Sequence, residues 1–316
     1  MEGDIKMIKK FVVFLVLFTV LCTLSTVFAM GGPAPSPTEE VETAPTASEE
    51  ALAKEQIDNL RNISVNSETI AEGYGKFVKD VYAGKRYLYT YNDIAKKELI
   101  RIAFDKNENW KLRYAAIGSL RADDLPEAFK LFRKIYEDKQ ERIELRRCAI
   151  QGISGTTKES KKYEAVNILI EALDDDDSHL AVLAANGLGY IKDKRAIQPL
   201  IDSVKKSERR LEKLLESGWD DYKDGTTVED GRLYAAERAL GDLKAKEAVP
   251  ALIDVMENEK LNKHFLDTTI GAAVRALGDI GDESALPALE KAGDKKYLDS
   301  DMYYRIETAI KKIKKE

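Results

Sequence analysis

One pattern recurs along this chain and limits what it can become. Ala184-Ala185-Asn186-Gly187-Leu188-Gly189-Tyr190-Ile191 runs into Arg195-Ala196-Ile197-Gln198-Pro199-Leu200-Ile201. Ala236-Glu237-Arg238-Ala239-Leu240-Gly241-Asp242-Leu243 runs into Glu247-Ala248-Val249-Pro250-Ala251-Leu252-Ile253, and Ala273-Val274-Arg275-Ala276-Leu277-Gly278-Asp279-Ile280 runs into Ser284-Ala285-Leu286-Pro287-Ala288-Leu289. In all three, the alanine opening the second segment follows the Leu-Gly glycine by seven residues. Looser copies come earlier: Ala115 to Leu120 leads to Ala128 to Phe132, and Ala149 to Ser154 leads to Ala165 to Ile170. With Leu120, Ile153, Leu188, Leu240 and Leu277 as markers, the steps are 33, 35, 52 and 37 residues, and the long step carries an insertion at 207–231. Periods of this length are the signature of stacked repeats.

The chemistry of one unit reads as two antiparallel helices. Alanines such as Ala184, Ala185, Ala272 and Ala273 allow close helix approach, while the leucines and isoleucines fill the seam. The glycine after the leucine is expected to close the helix in a left-handed conformation. Pro126, Pro199, Pro250 and Pro287 fall near helix starts, where a missing N–H costs little. Asp174 to Ser178 precede a helix and can cap its free N–H groups. Neither helix can hide its apolar side alone, so units stack and share a core. The expected fold is all-α. The pattern resembles the HEAT repeat family, in the short form of phycobilisome lyase-like proteins, over residues 92–316. That resemblance implies a right-handed α-solenoid with a concave groove lined by the second helix of each pair.

The flanks differ. Lys9-Lys10, then the apolar run Phe11 to Leu24, then the smaller Ser25 to Ala29 follow the pattern of a secretory leader over 1–29. Val27 and Ala29 suit cleavage after Ala29. The run 11–30 is also long enough to remain as a membrane anchor. Residues 30–50 hold Pro33, Pro35, Pro37 and Pro45 among Thr, Ser, Glu and Ala, a composition that reads as a disordered linker. Residues 51–91 lack the repeat but show helical spacing, as an N-terminal cap. The last helix, Ser300 to Lys315, ends in Lys311, Lys312, Lys314 and Lys315, which suit a helix C-terminus.

Composition excludes several classes of function. Fifty Lys and Arg against 56 Asp and Glu give a net charge of -6, unsuited to broad nucleic-acid binding. Cys22 lies in the leader, so a mature chain keeps Cys148 alone, placed on an apolar helix side. Only His179 and His264 are present, neither beside a glutamate; the di-iron ligands of HEAT-repeat hydroxylases are missing. The sequence holds no Cys-x-x-Cys, His-Glu-x-x-His, Gly-x-Ser-x-Gly or P-loop. Asp174 to Asp177 with His179 is the most metal-like cluster, read as a solvated helix cap. No catalytic residue, cofactor or metal is assigned, and no small-molecule substrate is expected.

Candidate partner-binding residues come from two places. The insertion carries Trp219 and Tyr222 in an acidic loop, and exposed aromatics on loops are common anchors. The second helices carry Arg147, Tyr190, Arg238 and Arg275, types enriched at interfaces. Arg113 and Arg146 fit a structural bridge equally well. The expectation is an exported, periplasmic or extracellular scaffold or adaptor that binds a protein or peptide, with a possible membrane tether at 11–30. The alternatives are a bilin lyase-like enzyme or lyase accessory subunit, implied by the resemblance, and a membrane-anchored structural envelope protein.

Overall fold

A computed structural model describes residues 47–66, 90–121, 125–155, 159–217, 226–262, 266–294 and 300–315. The leader, nearly all of the linker, the second half of the cap, Trp219, Tyr222 and His264 lie outside the described residues. Fourteen α-helices and no strand occur among the described residues. They are α1 (Ala47–Asn66), α2 (Asp93–Phe104), α3 (Trp110–Leu120), α4 (Pro126–Glu137), α5 (Ile143–Ser154), α6 (Glu159–Ala172) and α7 (Ser178–Ile191). Then follow α8 (Ile197–Glu216), α9 (Thr226–Asp242), α10 (Val249–Glu257), α11 (Glu259–Asn262), α12 (Gly271–Ile280), α13 (Leu286–Gly293) and α14 (Ser300–Lys314). Prolines stand at or near the starts of α4, α8, α10 and α13, where the ring replaces an N–H that no helical carbonyl would accept.

The chain divides into two compact units, 1–128 and 129–316. In the first, α1 packs on both α2 and α3 through Ala53, Ile57, Leu60 and Ile63. Gln56 is buried there and stays satisfied: its amide donates to the Thr90 carbonyl at 2.8 Å and its oxygen accepts from Asn92 N–H at 3.3 Å. Helix α1 starts at Ala47, so four residues expected in the linker form its first turn.

In the second unit each second helix packs on the next: α5 on α7, α7 on α9, α9 on α12 and α12 on α14. Each first helix packs on its own partner, as α6 on α7, α8 on α9, α10 on α12 and α13 on α14. The core is aliphatic, with Leu169, Leu188, Leu200, Leu240, Leu252, Leu277 and Leu289 fully buried. This is an all-α solenoid-type stack of helix pairs. Most of the insertion is helical: Ser207 to Glu216 prolong α8, and Thr226 to Gly231 open α9.

The Leu-Gly glycines do something other than close helices. Gly189, Gly241 and Gly278 are buried inside α7, α9 and α12. A Cβ there would lie 3.0, 3.1 and 2.8 Å from the α-carbons of Ala239, Ala276 and Ala309 on the next helix. They are contact points between second helices. The left-handed residue falls three positions later, at Lys192 (φ 56°), Lys244 (φ 51°) and Gly281 (φ 72°). At Lys192 and Gly281 the N–H reaches back to Leu188 and Leu277 carbonyls at 3.0 and 3.1 Å. The offset is constant because the seam fixes where each helix must stop. Left-handed backbone costs a side-chain-bearing residue about 1–2 kcal/mol, and glycine regains part of this. Lys192→Gly and Lys244→Gly are therefore each expected to raise stability by about 0.5–1 kcal/mol, measured as a higher urea midpoint; an unchanged or lower midpoint in both would show that the lysines carry no strain.

Candidate functional site

Arginines on these helices are of two kinds, and partners tell them apart. Arg113 and Arg146, each in the first turn or so of its helix, donate Nε to the carbonyls of Ala103 and Tyr136, ten residues earlier, at 3.0 Å. Arg146 also reaches Asp175 at 2.7 Å, with both side chains buried. Arg232 donates to the Asp175 carbonyl at 2.9 Å. Arg147, a candidate for partner contact, places both Nε and a terminal nitrogen on Asp177, which in turn caps α7 by accepting from Leu180 N–H at 2.9 Å. Its fork is thus spent between repeats. Burial alone pushes Asp177 upward, but the Arg147 hydrogen bonds and the Leu180 N–H outweigh it and hold the carboxyl below its usual range.

The acidic run belongs to the same clamp. Asp175 holds Arg146 and Lys139, the latter at 3.1 Å, and Asp174 meets Lys206 of α8 at 2.5 Å. Exposed pairs such as Lys206 with Asp174 contribute little to stability; the buried Arg146–Asp175 contact is the structural one.

A second cluster escaped the sequence reading. Glu237 of α9 is fully buried, and neither carboxyl oxygen has a hydrogen-bond partner among the described residues. Counted from the marker leucines, its position is Ile117, Ile150, Ala185 and Val274 in the other copies, all buried. Burial, then the charges of Asp230 and Glu208, raise its pKa well above the ordinary carboxyl value. Asp230 accepts from the Thr268 hydroxyl at 2.9 Å and from Thr269, both on the π-turn Leu266–Ile270; burial raises it too, against those hydrogen bonds. Glu208 accepts from the Asn258 amide at 2.9 Å and is likewise raised, chiefly by burial. The signal was present: a carboxylate occupying an aliphatic repeat position.

The remaining candidates lie on the exposed side of the second helices. Tyr190 of α7 is 62% exposed. Tyr234, Arg238 and Asp242 of α9 face Ala272, Arg275, Ala276 and Asp279 of α12 across a small slot. Arg238 Nε stands 3.9 Å from Asp242, and Arg275 Nε stands 3.7 Å from Asp279, both too long for hydrogen bonds. Asp279 is instead bonded by Lys312 of α14 at 2.7 Å. Neither Arg238 nor Arg275 donates a hydrogen bond to any described residue, and their side chains are 51% and 67% exposed. Tyr234 joins this face without having been singled out in the sequence.

A family model described as HEAT repeats matches residues 140–217 and 229–300. No curated protein matches the chain. Three solved structures are similar at low identity. An engineered protein shares 16% identity over 88% of this chain and 76% of its own, with a TM-score of 0.46. Human deoxyhypusine hydroxylase in complex with glycerol shares 15% over 85% of this chain and 99% of its own, at 0.34. The complex of CpcE and CpcF of phycocyanin lyase from Nostoc sp. shares 19% over 88% of this chain and 100% of its own, at 0.37.

Proposed function

We propose that this chain, whose residues 140–217 and 229–300 match a model of HEAT repeats, is an extracytoplasmic scaffold that binds a protein or peptide on the exposed side of its second helices. One observation carries the reading. On that side, Tyr190, Tyr234, Arg238 and Arg275 are solvent-facing, and the two arginines hydrogen-bond no described residue, whereas Arg113 of α3, Arg146 and Arg147 of α5 and Arg232 of α9 are spent inside the helix stacks. Tyrosine and arginine with free donors are the side chains that most often anchor a partner. The role is recognition, without a reaction step. The apolar run 11–30 supports export, with the folded part released after Ala29 or held at the membrane by an uncleaved segment.

Chemical crosslinking of the full chain in its native cells is expected to trap a defined protein. Replacing Tyr190 and Tyr234 together by alanine is expected to weaken that capture about 30-fold, the effect of losing about 2 kcal/mol of anchoring. Undiminished capture by this double variant would remove the proposed face from consideration. N-terminal sequencing of the native protein tests export: a start at Met30 in the soluble fraction fits cleavage, and intact chain in the membrane fraction fits the tether. Intact chain in the cytoplasmic fraction contradicts both.

A further inference from the structure

We infer that the slot between α9 and α12 receives two acidic side chains, three residues apart, from an extended peptide segment of the partner. This rests on the docking role of the face and adds its chemistry. Arg238 and Arg275 hold the same place in successive repeats, two residues before the marker leucines Leu240 and Leu277. Gly241 against Ala276 draws their helices together, and both arginines line one slot whose α12 wall includes the small Ala272 and Ala276. Two guanidinium groups that hydrogen-bond no described residue thus line one slot, and a planar guanidinium fork can match a carboxylate with two N–H bonds at a time.

The surrounding charges favour an acidic guest. Asp242 and Asp279 face Arg238, Arg275 and Lys312, so cations outnumber carboxylates three to two. Lys312 takes the hydrogen bond of Asp279 and leaves Arg275 the freer. The spacing follows from the stack. Packed helices lie about 8–10 Å apart. An extended polyproline-type chain returns a side chain to the same face every third residue, a rise of about 9 Å. Residues i and i+3 of the peptide therefore meet Arg238 and Arg275 in turn. The motif stops at two acids, because the equivalent positions on the flanking helices are the uncharged Asn186 of α7 and Thr308 of α14.

The test uses the full chain and fluorescein-labelled peptides followed by anisotropy. The probe has the core Glu-Pro-Pro-Glu, and its controls have Gln-Pro-Pro-Gln, Lys-Pro-Pro-Lys and the adjacent-acid core Pro-Glu-Glu-Pro. The Glu-Pro-Pro-Glu peptide is expected to bind at least tenfold more tightly than each control, and less tightly as salt rises. Arg238→Gln and Arg275→Gln are each expected to weaken it about tenfold, with thermal midpoints unchanged because both side chains are exposed. Equal binding of the glutamine peptide, stronger binding of the lysine peptide, no binding at all, or indifference to both substitutions overturns the inference. The scaffold reading fails separately: if crosslinked capture falls with the Tyr190 and Tyr234 substitutions yet survives Arg238→Gln with Arg275→Gln, the face binds its partner and only the acidic motif is wrong.

Discussion

Replacing Glu237 by valine is expected to stabilise the protein by about 2–4 kcal/mol at neutral pH, and to remove most of its loss of stability with rising pH. The carboxyl group is wholly buried, and both oxygens lack a hydrogen-bond partner among the described residues. Leaving such a group unmatched costs more than any packing it supplies. Valine is the residue that the next repeat places there, as Val274, so its shape suits the position. The sign of the pH effect follows from the raised pKa. Glu237 binds its proton more tightly folded than unfolded, so its contribution is fully present below about 4.5, the ordinary glutamate value. It fades as pH rises from there through the elevated folded value. Glu208 and Asp230 are raised as well, by burial first, and act in the same direction. Asp282, lowered to about 2 chiefly by hydrogen bonds from Ser284, acts oppositely: its contribution is lost only as pH falls below the ordinary aspartate range toward 2. Urea midpoints measured from mildly acidic to mildly alkaline pH should therefore slope downward in the native protein and less steeply in Glu237→Val, where Glu208 and Asp230 keep a residual slope. A parallel slope in both would mean that Glu237 is not the titrating group.

Gly278→Val is expected to cost about 3 kcal/mol or more and to loosen α14 selectively. A Cβ at this position would lie 2.8 Å from the Ala309 α-carbon and 2.9 Å from its Cβ. The obstruction is backbone, which cannot swing aside as a long side chain can, and overpacking of this kind typically costs about 1–3 kcal/mol before branching is added. Because each repeat leans only on its neighbours, the damage should stay near the C-terminal end. Hydrogen exchange should show protection lost over Ser300–Lys314 and largely kept in α7. Gly118 is the internal control: it is also helical, but no described residue lies within 4 Å of its would-be Cβ. Gly118→Ala should therefore gain up to about 1 kcal/mol of helix propensity. If Gly278→Val and Gly118→Ala behaved alike, close approach would not be the reason for glycine at the seam.

The helix pairs, their proline-marked starts and the stacking of units were legible in the sequence, because each depends on residues a few positions apart. The pattern of small and aliphatic residues repeats with the helix, and a helix with one apolar side has few ways to bury it. What a given side chain meets was another matter. Gly189, Gly241 and Gly278 read as helix ends, yet they lie within helices, and the left-handed residue falls three positions on, on lysine in two cases of three. Arg147 and Arg238 read as the same kind of surface residue, yet one is locked on Asp177 and the other faces solvent without a hydrogen bond among the described residues. Glu237 stood out as a carboxylate at an otherwise aliphatic repeat position, yet which groups it meets was decided only when its neighbours closed over it. Each of these outcomes is set by the register between helices of successive repeats, some 30 to 50 residues apart in the chain, where the local pattern carries no information about which atoms come to face each other.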